Sequence, residues 1–133
     1  MSNKSLGSNF EREFGELLAR HGFWVHLLQT NSAGQPADII AAKRKKALLI
    51  DCKVCSRGRF EFSRIEPNQE TSMNLWDLCG NGNAWFALLL GDKVYMFSSR
   101  LLDAYKSEGR TSLNELEIKT LGKEFSEWIT TCA

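Results

Sequence analysis

The sequence predicts an α/β fold in which a mixed central β-sheet is flanked by helices. An amphipathic helical pattern opens the chain, two pairs of strand-like segments follow, and a helical segment separates the pairs. The 133 residues, 43% hydrophobic and 25% charged, suffice for one domain with its own core. We expect a single domain over 1–133, with its core at about 7–102 and a tail of unassigned structure at 103–133.

The opening segment is predicted to be a helix followed by a strand. Ser8 and Asn9 are suited to cap the helix, and Gly22 to end it. Its apolar face is formed by Phe10, Phe14, Leu17, Leu18 and His21. The aromatic and aliphatic stretch Phe23–Leu28 then favours a strand.

A β-hairpin is predicted next. Residues 31–36 have turn composition, and Ala37–Ala42 and Ala47–Val54 are two strand-like segments. Four basic residues separate those segments, namely Lys43, Arg44, Lys45 and Lys46. So short a connection favours antiparallel pairing of the two strands.

The second half of the sequence also contains strand-like and helical segments. Arg59–Phe62 is compatible with a short strand, and Pro67 suits the first turn of a helix that ends near Leu78. The remaining predicted elements are strands Ala84–Leu90 and Lys93–Ser98, a helix Arg100–Lys106, and a helical tail with Phe125, Trp128 and Ile129. The predicted order is therefore α-β-β-β-α-β-β-α.

Positive charge is concentrated in one part of a nearly neutral chain. The net charge is +1, yet seven basic residues lie close together in sequence: Lys43, Arg44, Lys45, Lys46, Arg57, Arg59 and Arg64. This distribution is compatible with binding to a phosphate backbone and equally with a solvated basic turn.

Further features of the sequence argue against several classes of protein. No apolar run reaches the ~20 residues of a membrane span and no signal peptide is recognisable, so we expect a cytoplasmic protein of cellular or phage origin. Its four cysteines would then be free thiols. Cys52 and Cys55 form a C-x-x-C, but positions i and i+3 of a strand face opposite sides, which argues against zinc or redox chemistry.

Two acids and a lysine form the main candidate site. Asp51 and Lys53 lie two apart in a predicted strand, so their side chains share a face. Alone, the pair is compatible with a solvent-facing salt bridge. Asp38 lies on the adjacent predicted strand, where it can approach Asp51 across the hairpin. Two neighbouring carboxylates repel unless a cation lies between them, and oxygen ligands of this kind suit Mg²⁺ or Mn²⁺.

At these residues the sequence resembles a known superfamily. Pro36-Ala37-Asp38, followed thirteen residues later by Asp51-Cys52-Lys53, is similar to the PD-(D/E)xK nuclease signature with one residue inserted before the first Asp. The resemblance implies a restriction-endonuclease-like sheet and a metal-dependent nuclease. In this role Asp38, Asp51 and the Cys52 carbonyl bind Mg²⁺ or Mn²⁺, and Lys53 positions the attacking water.

Within that superfamily the chain resembles Holliday-junction resolvases of the archaeal and RecU types, from about Gly7 to Leu102. Leu6–Glu13 is similar to their opening helix, which begins after a glycine; this assigns Glu11 as a third acid, acting directly or through water, with Glu13 as the alternative. Phe60–Gln69 is similar to the RecU-type stretch that brings a catalytic glutamine, here Gln69. The resemblance further implies branched DNA as substrate and a homodimer.

Two departures leave alternatives open. The second acid is Asp51, where these resolvases more often have Glu, and no segment matches the projecting stalk of the RecU type. A restriction-like or repair nuclease, or a DNA-binding module without turnover, therefore remains an alternative.

Overall fold

The computed structural model describes residues 3–28 and 34–131, the side chains from Leu6 onward. In chain order the elements are α1 (Asn3–Arg20), β1 (Trp24–Leu27), β2 (Ile39–Lys43), β3 (Lys46–Val54), β4 (Arg59–Glu61), a 3₁₀ turn (Phe62–Arg64), α2 (Pro67–Leu78), β5 (Trp85–Leu90), β6 (Lys93–Ser98), α3 (Ser99–Ser107), β7 (Ser112–Asn114), α4 (Glu115–Leu121), β8 (Lys123–Glu124) and α5 (Phe125–Thr131). Six strands form one mixed sheet in the order β1-β2-β3-β5-β6-β8, and β4 pairs with β7 separately. The predicted fold class, a mixed sheet flanked by helices, is confirmed.

The predicted hairpin is present as β2 and β3. The strands pair antiparallel from Ile39 opposite Ile50 to Lys43 opposite Lys46. The two residues between them, Arg44 and Lys45, have φ angles of 49° and 67°. Two central residues with positive φ match the right-handed twist of the flanking strands, which is why such turns close tight hairpins.

Strand β3 is buried on both faces. It pairs antiparallel with β2 and parallel with β5, and β5 continues into the predicted hairpin with β6. One face packs on α1 and α5 through a core cluster that includes Phe14, Ile50 and Trp128. The opposite face packs on a second cluster that includes Phe60, Met73 and Leu102. Any polar side chain in the middle of β3 is therefore held between packed layers.

The first helix begins earlier than predicted. It starts at Asn3, so Ser8 and Asn9 lie within it, and they do not cap it. Gly7 is likewise a helical residue, where the resemblance implied a helix that starts after it. The apolar spacing that identified the helix holds for Phe10, Phe14 and Leu18, which are buried, whereas His21 lies beyond the last turn and is exposed. The predicted start of the helix was wrong because Ser8-Asn9, a dipeptide typical of helix caps, lies inside a longer helix.

The C-terminal residues are structured and belong to the core. Strand β7 pairs with β4, and β8 adds to the edge of the main sheet beside β6. Leu113, Ile118 and Trp128 are completely buried. The predicted strand 59–62 is shorter than expected, because Phe62 begins a 3₁₀ turn. Within 3–28 and 34–131, no helix is both long and apolar enough to cross a membrane.

Candidate active site

The candidate site lies where β3 extends past the start of β2. The Asp38 N–H donates to the Ile50 carbonyl at 3.1 Å, which continues the ladder by one residue beyond β2. Asp51 therefore stands next to Asp38 across the strands. Asp51 has no exposed surface, and Lys53 Nζ lies 3.1 Å from its Oδ2. The alternative of a solvent-facing salt bridge is thus wrong.

Beyond the start of β2, the Asp38 carboxylate accepts a hydrogen bond that a β2 backbone carbonyl would otherwise accept. Its Oδ2 accepts from the Cys52 N–H at 2.8 Å, and its Oδ1 accepts from the Gln35 side-chain amide. The N–H and C=O of one strand residue point to the same edge of the strand. The Cys52 carbonyl is consequently directed to the side on which Asp38 lies, as a metal ligand between the acids requires.

Helix α2 brings Gln69 into contact with Asp51 and Lys53 of β3. Gln69 is buried; its Nε2 donates to Asp51 Oδ1 at 2.9 Å, and its Oε1 accepts from Lys53 Nζ at 3.3 Å. The same Oε1 accepts from the Glu66 N–H at 3.3 Å at the start of the helix. The side chain that organises the first turn of α2 therefore also fixes the orientation of Asp51 and Lys53.

One oxygen of the site lacks a hydrogen bond. Asp51 Oδ2 is buried and has no hydrogen-bond partner among the described residues; its neighbour is the Lys53 ammonium, an ion-pair partner at 3.1 Å. A buried carboxylate oxygen without a donor is costly and uncommon in native proteins. A divalent cation beside Oδ2 would satisfy it.

The acids also interact with one another. Burial raises the pKa of Asp51 well above its ordinary value, and the negative charge of Asp38 raises it further. Burial, again followed by the charge of Asp38, raises the pKa of Glu11 to about 7, and a hydrogen bond with Asp38 contributes in the same direction. Glu11 of α1, Asp38 and Asp51 thus form a mutually repelling group, with Lys53 as the nearby cation.

The donor set fits a hard cation that retains much of its water. In the part of the chain that the structure describes, no group of three or more His, Cys, Asp or Glu side chains is arranged as a ready metal cluster. Asp38 and Asp51 with the Cys52 carbonyl give two carboxylates and one carbonyl. Mg²⁺ in proteins is commonly held by one or two carboxylates, with waters and substrate phosphates completing the octahedron.

Gln35 is a site residue that the sequence did not reveal. Besides its bond to Asp38, its backbone carbonyl accepts from Asn68 Nδ2 at 2.9 Å, which joins this segment to the first turn of α2. Gly34 has φ +84° and lies so close that a Cβ there would stand 2.7 Å from Asn68 Nδ2. In the sequence Gln35 was part of a turn-like stretch, of which residues 31–33 lie outside the described residues.

The basic residues fall into two groups on either side of the acids. Arg44, Lys45 and Lys46 are exposed at the hairpin turn, and Lys46 lies about 16 Å from Asp51 along β3. Arg57 is exposed on the other side, beyond the end of β3. The remaining three have partners within the chain: Lys43 Nζ donates to the His21 carbonyl at 2.7 Å, Arg59 pairs with Glu61 at 3.0 Å, and Arg64 donates to the Val54 carbonyl at 2.8 Å.

The two cysteines of the C-x-x-C are separated by the sheet, as predicted. Cys52 packs in the core cluster beside α1, and Cys55 in the cluster beside α2. Both are free thiols, and burial raises the pKa of Cys55 to about 11. Neither is placed for metal or redox chemistry with the other.

Comparison with known proteins identifies the family. The model of the archaeal Holliday junction resolvases matches residues 2–125. The chain belongs to the archaeal Holliday junction resolvase family. A member named crossover junction endodeoxyribonuclease Hjc, from Methanocaldococcus jannaschii, is 27% identical over 124 residues, which cover 92% of this chain and 86% of the relative.

A solved structure shares the fold. The Holliday junction resolvase Hjc of Archaeoglobus fulgidus superimposes with a TM-score of 0.71 at 21% identity, over 92% of this chain and 99% of that one. The family is one of PD-(D/E)xK-type nucleases, so the resemblance seen at Asp38, Asp51 and Lys53 is confirmed at the level of the family. The individual roles of these residues remain predictions.

Proposed function

We propose that this family member is a metal-dependent endodeoxyribonuclease that cleaves four-way DNA junctions, with its active centre at Asp38, Asp51 and Lys53. The observation that carries the proposal is the buried Asp51 carboxylate, which lies beside a second acid, Asp38, and whose Oδ2 has Lys53 as an ion-pair partner but no hydrogen bond from the described residues. The name of the Methanocaldococcus relative supplies the substrate class. Because the proposed substrate is recombining DNA, we propose that the enzyme acts inside the cell.

Asp38, Asp51 and the Cys52 carbonyl are proposed to hold Mg²⁺ or Mn²⁺, with Glu11 supporting the ion directly or through water. The bound ion supplies Lewis acidity, which polarises the scissile phosphate and lowers the pKa of an attacking water. Glu11 is a suitable supporting group because Asp38 and burial hold its pKa at about 7 without a cation. A nearby cation therefore favours its ionised form.

Lys53 is proposed to stabilise the negative charge that develops on the phosphoryl oxygens and to position the water. Its ammonium lies beside Asp51 Oδ2 at 3.1 Å and donates to Gln69 Oε1 at 3.3 Å. These contacts hold it in place before substrate arrives, so little reorganisation is needed during the reaction. Gln69 assists by fixing Asp51 and Lys53 relative to each other.

Resolution of a junction requires two symmetric cuts, so we propose that the chain acts as a two-fold homodimer. Exposed Arg44, Lys45, Lys46 and Arg57 are proposed to contact phosphates. Lys43, Arg59 and Arg64, which have partners within the chain, contribute less than predicted from the sequence. Sedimentation at micromolar concentration tests the dimer directly.

The function is tested with a labelled four-way junction and its isolated duplex arms, each incubated with Mg²⁺ or EDTA. We expect symmetric cuts in the junction with Mg²⁺ and none with EDTA. Lys53→Ala is expected to bind the junction while cutting it at least about a hundredfold more slowly. Glu16→Gln, an exposed change on the helix that carries Glu11, is the matched control and should cut like the parent.

Other outcomes assign other functions. Cutting of every substrate would indicate a general nuclease. Junction binding that EDTA leaves unchanged, without cutting in Mg²⁺ or Mn²⁺, would exclude the enzyme and leave a DNA-binding module.

A further inference from the structure

Edge strand β1 carries two aromatic side chains that point away from the core. Val25 and Leu27 turn toward α1, because a Cβ added to Gly15 of that helix would meet their side chains at 3.4 and 3.1 Å. Side chains alternate along a strand, so Trp24 and His26 lie on the opposite face of the sheet. Trp24 is 64% exposed, an unusual position for the largest apolar side chain in a protein of this size.

That face is the one that carries the candidate active centre. Trp24 is opposite Ala42 on β2, and Ala42 is opposite Ala47 on β3. Directly opposed residues of antiparallel strands share a face, as do alternate residues of one strand. Asp51, four residues beyond Ala47, therefore shares the face with Trp24. The two lie about 10 Å apart across the strands and about 13 Å apart along them.

The two aromatic rings form a stack that another flat ring can extend. The planes of Trp24 and His26 are inclined by 8°, with centroids 6.0 Å apart. A nucleobase presents such a π-face, and base–aromatic stacking is a principal source of affinity for unpaired nucleotides. Bases within a duplex are covered above and below by their neighbours, whereas a branch point exposes base faces.

Charge beside the stack favours DNA as the occupant. β2 continues from Ala42, the partner of Trp24, through Lys43 into the turn of Arg44 and Lys45. Both turn residues are exposed. An aromatic platform bordered by cations and continuous with a phosphodiester-cleaving centre matches a nucleic acid in both charge and chemistry.

We infer that the Trp24–His26 stack binds an exposed base at the branch point of the junction and so contributes to junction selectivity. The inference rests on the proposed function and extends it to substrate recognition. The separation of about 16 Å between Trp24 and Asp51 corresponds to about five nucleotide steps along a duplex axis at 3.4 Å per step. The stack therefore places the cut within a few nucleotides of the branch.

The test compares Trp24→Ala and Trp24→Phe with the parent. Affinities are measured in EDTA for a four-way junction and for a duplex, both with hairpin-capped arms so that no duplex end exposes a base face. Trp24→Ala should weaken junction binding about tenfold and change duplex binding less than about twofold. Trp24→Phe, which keeps a stacking ring, should recover most of the affinity. Junction binding should quench parent tryptophan fluorescence more strongly than it quenches Trp24→Phe.

Leu116→Ala is the matched control, because Leu116 is also a large exposed apolar residue, 69% exposed, but on α4. The control should bind both substrates like the parent, and all variants should melt at the parent temperature. Unchanged junction affinity in Trp24→Ala would overturn the inference, as would equal losses on junction and duplex. A variant that loses its dimer together with its junction affinity would overturn it too, by assigning the face to self-association.

The outcomes separate the inference from the proposed function. If the parent cuts junctions with Mg²⁺ and Trp24→Ala binds them equally well, only the inference fails. If the parent neither binds nor cuts a junction, the proposed function fails, and the branch-point assignment with it.

Discussion

Asp51 and Asp77 are both almost completely buried, yet their surroundings differ. Asp77 Oδ1 accepts from the Ala84 N–H at 2.8 Å, its Oδ2 accepts from Ser99 Oγ at 3.2 Å, and Arg100 Nε lies 3.5 Å away. Asp51 Oδ1 accepts from Gln69 Nε2 at 2.9 Å, and Lys53 Nζ lies 3.1 Å from its Oδ2, but that oxygen accepts no hydrogen bond from the described residues.

The difference distinguishes a structural acid from the acid of the proposed active centre. Asp77 joins the end of α2 to the starts of β5 and α3, and both of its oxygens accept hydrogen bonds. Asp51 stands beside a second acid, Asp38, and its Oδ2 accepts no hydrogen bond from the described residues. Burial alone does not mark a candidate active centre; a buried acid next to another acid, with an oxygen that lacks a hydrogen-bond donor, does.

The sharpest test of this comparison is Asp51→Asn. We expect cleavage to fall on the order of 10³-fold, because the proposed metal ligand loses its negative charge. In EDTA the free energy of unfolding should stay constant or increase, because a poorly satisfied charge leaves the interior. Single-turnover cleavage and urea unfolding measure the two quantities. A clear loss of stability would contradict the comparison.

Asp77→Ala should have the opposite profile. Its removal leaves the Ala84 N–H and the Ser99 hydroxyl without an acceptor, so the free energy of unfolding should decrease by about 2–4 kcal/mol. Cleavage per folded molecule should be unchanged at a temperature where the variant is folded. Asp92→Ala, an exposed change in the β5–β6 turn, is the control for urea unfolding. Loss of cleavage in folded Asp77→Ala would show that the two acids are coupled.

Gln35→Ala tests how Asp38 is held. Without the amide that donates to Oδ1, Asp38 gains rotational freedom, and the Mg²⁺ concentration for half-maximal cleavage should rise about tenfold. Metal-dependent thermal stabilisation, measured without DNA, should shift by the same factor. Ser63→Ala, an exposed change in the 3₁₀ turn, is the control. An unchanged metal response would assign Gln35 to loop structure alone.

The pH dependence of stability gives the smallest effect. Glu11 has a pKa raised to about 7 in the metal-free fold, so its contribution to stability is fully present below pH 4.5 and is lost as pH rises through 7. The increase in melting temperature caused by Mn²⁺ should therefore grow between pH 5 and pH 8. Glu11→Gln should flatten this trend, whereas Glu16→Gln, an exposed change on the same helix, should preserve it. A metal effect independent of pH would contradict the raised pKa.

Local patterns predicted the elements near the site well. Alternating and apolar runs identified the β2–β3 and β5–β6 hairpins, and the hairpin register was enough to bring Asp38 next to Asp51. The resemblance to resolvases added Glu11 and Gln69, which no periodicity singles out. In the structure Gln69 contacts Asp51 and Lys53, and Glu11 interacts with Asp38; the catalytic roles of Glu11 and Gln69 stay predictions.

The pairing of strands that lie far apart in the chain could not be predicted from the sequence. The β4–β7 ladder joins residues more than fifty positions apart. β4 was predicted as a short strand, but nothing in the sequence indicated its partner β7. Gln35 was missed because its function depends on a tertiary contact with Asp38, while its local sequence indicates only a turn. The exposure of Trp24 could not be predicted, because the sequence does not reveal which face of an edge strand is uncovered.

The Arg44–Lys45 turn has a consequence for protein engineering. Tight hairpins of this kind favour Asn-Gly, since ordinary side chains at positive φ are strained, typically by about 1 kcal/mol or more per residue. Here both positions carry long cations instead. Installing Asn-Gly would make the hairpin more robust and remove two charges from the side of the molecule nearest Trp24. Because Arg44 and Lys45 are proposed to contact DNA phosphates, thermostability and DNA affinity are opposing design goals at this turn. Stabilising substitutions are better placed elsewhere in the chain.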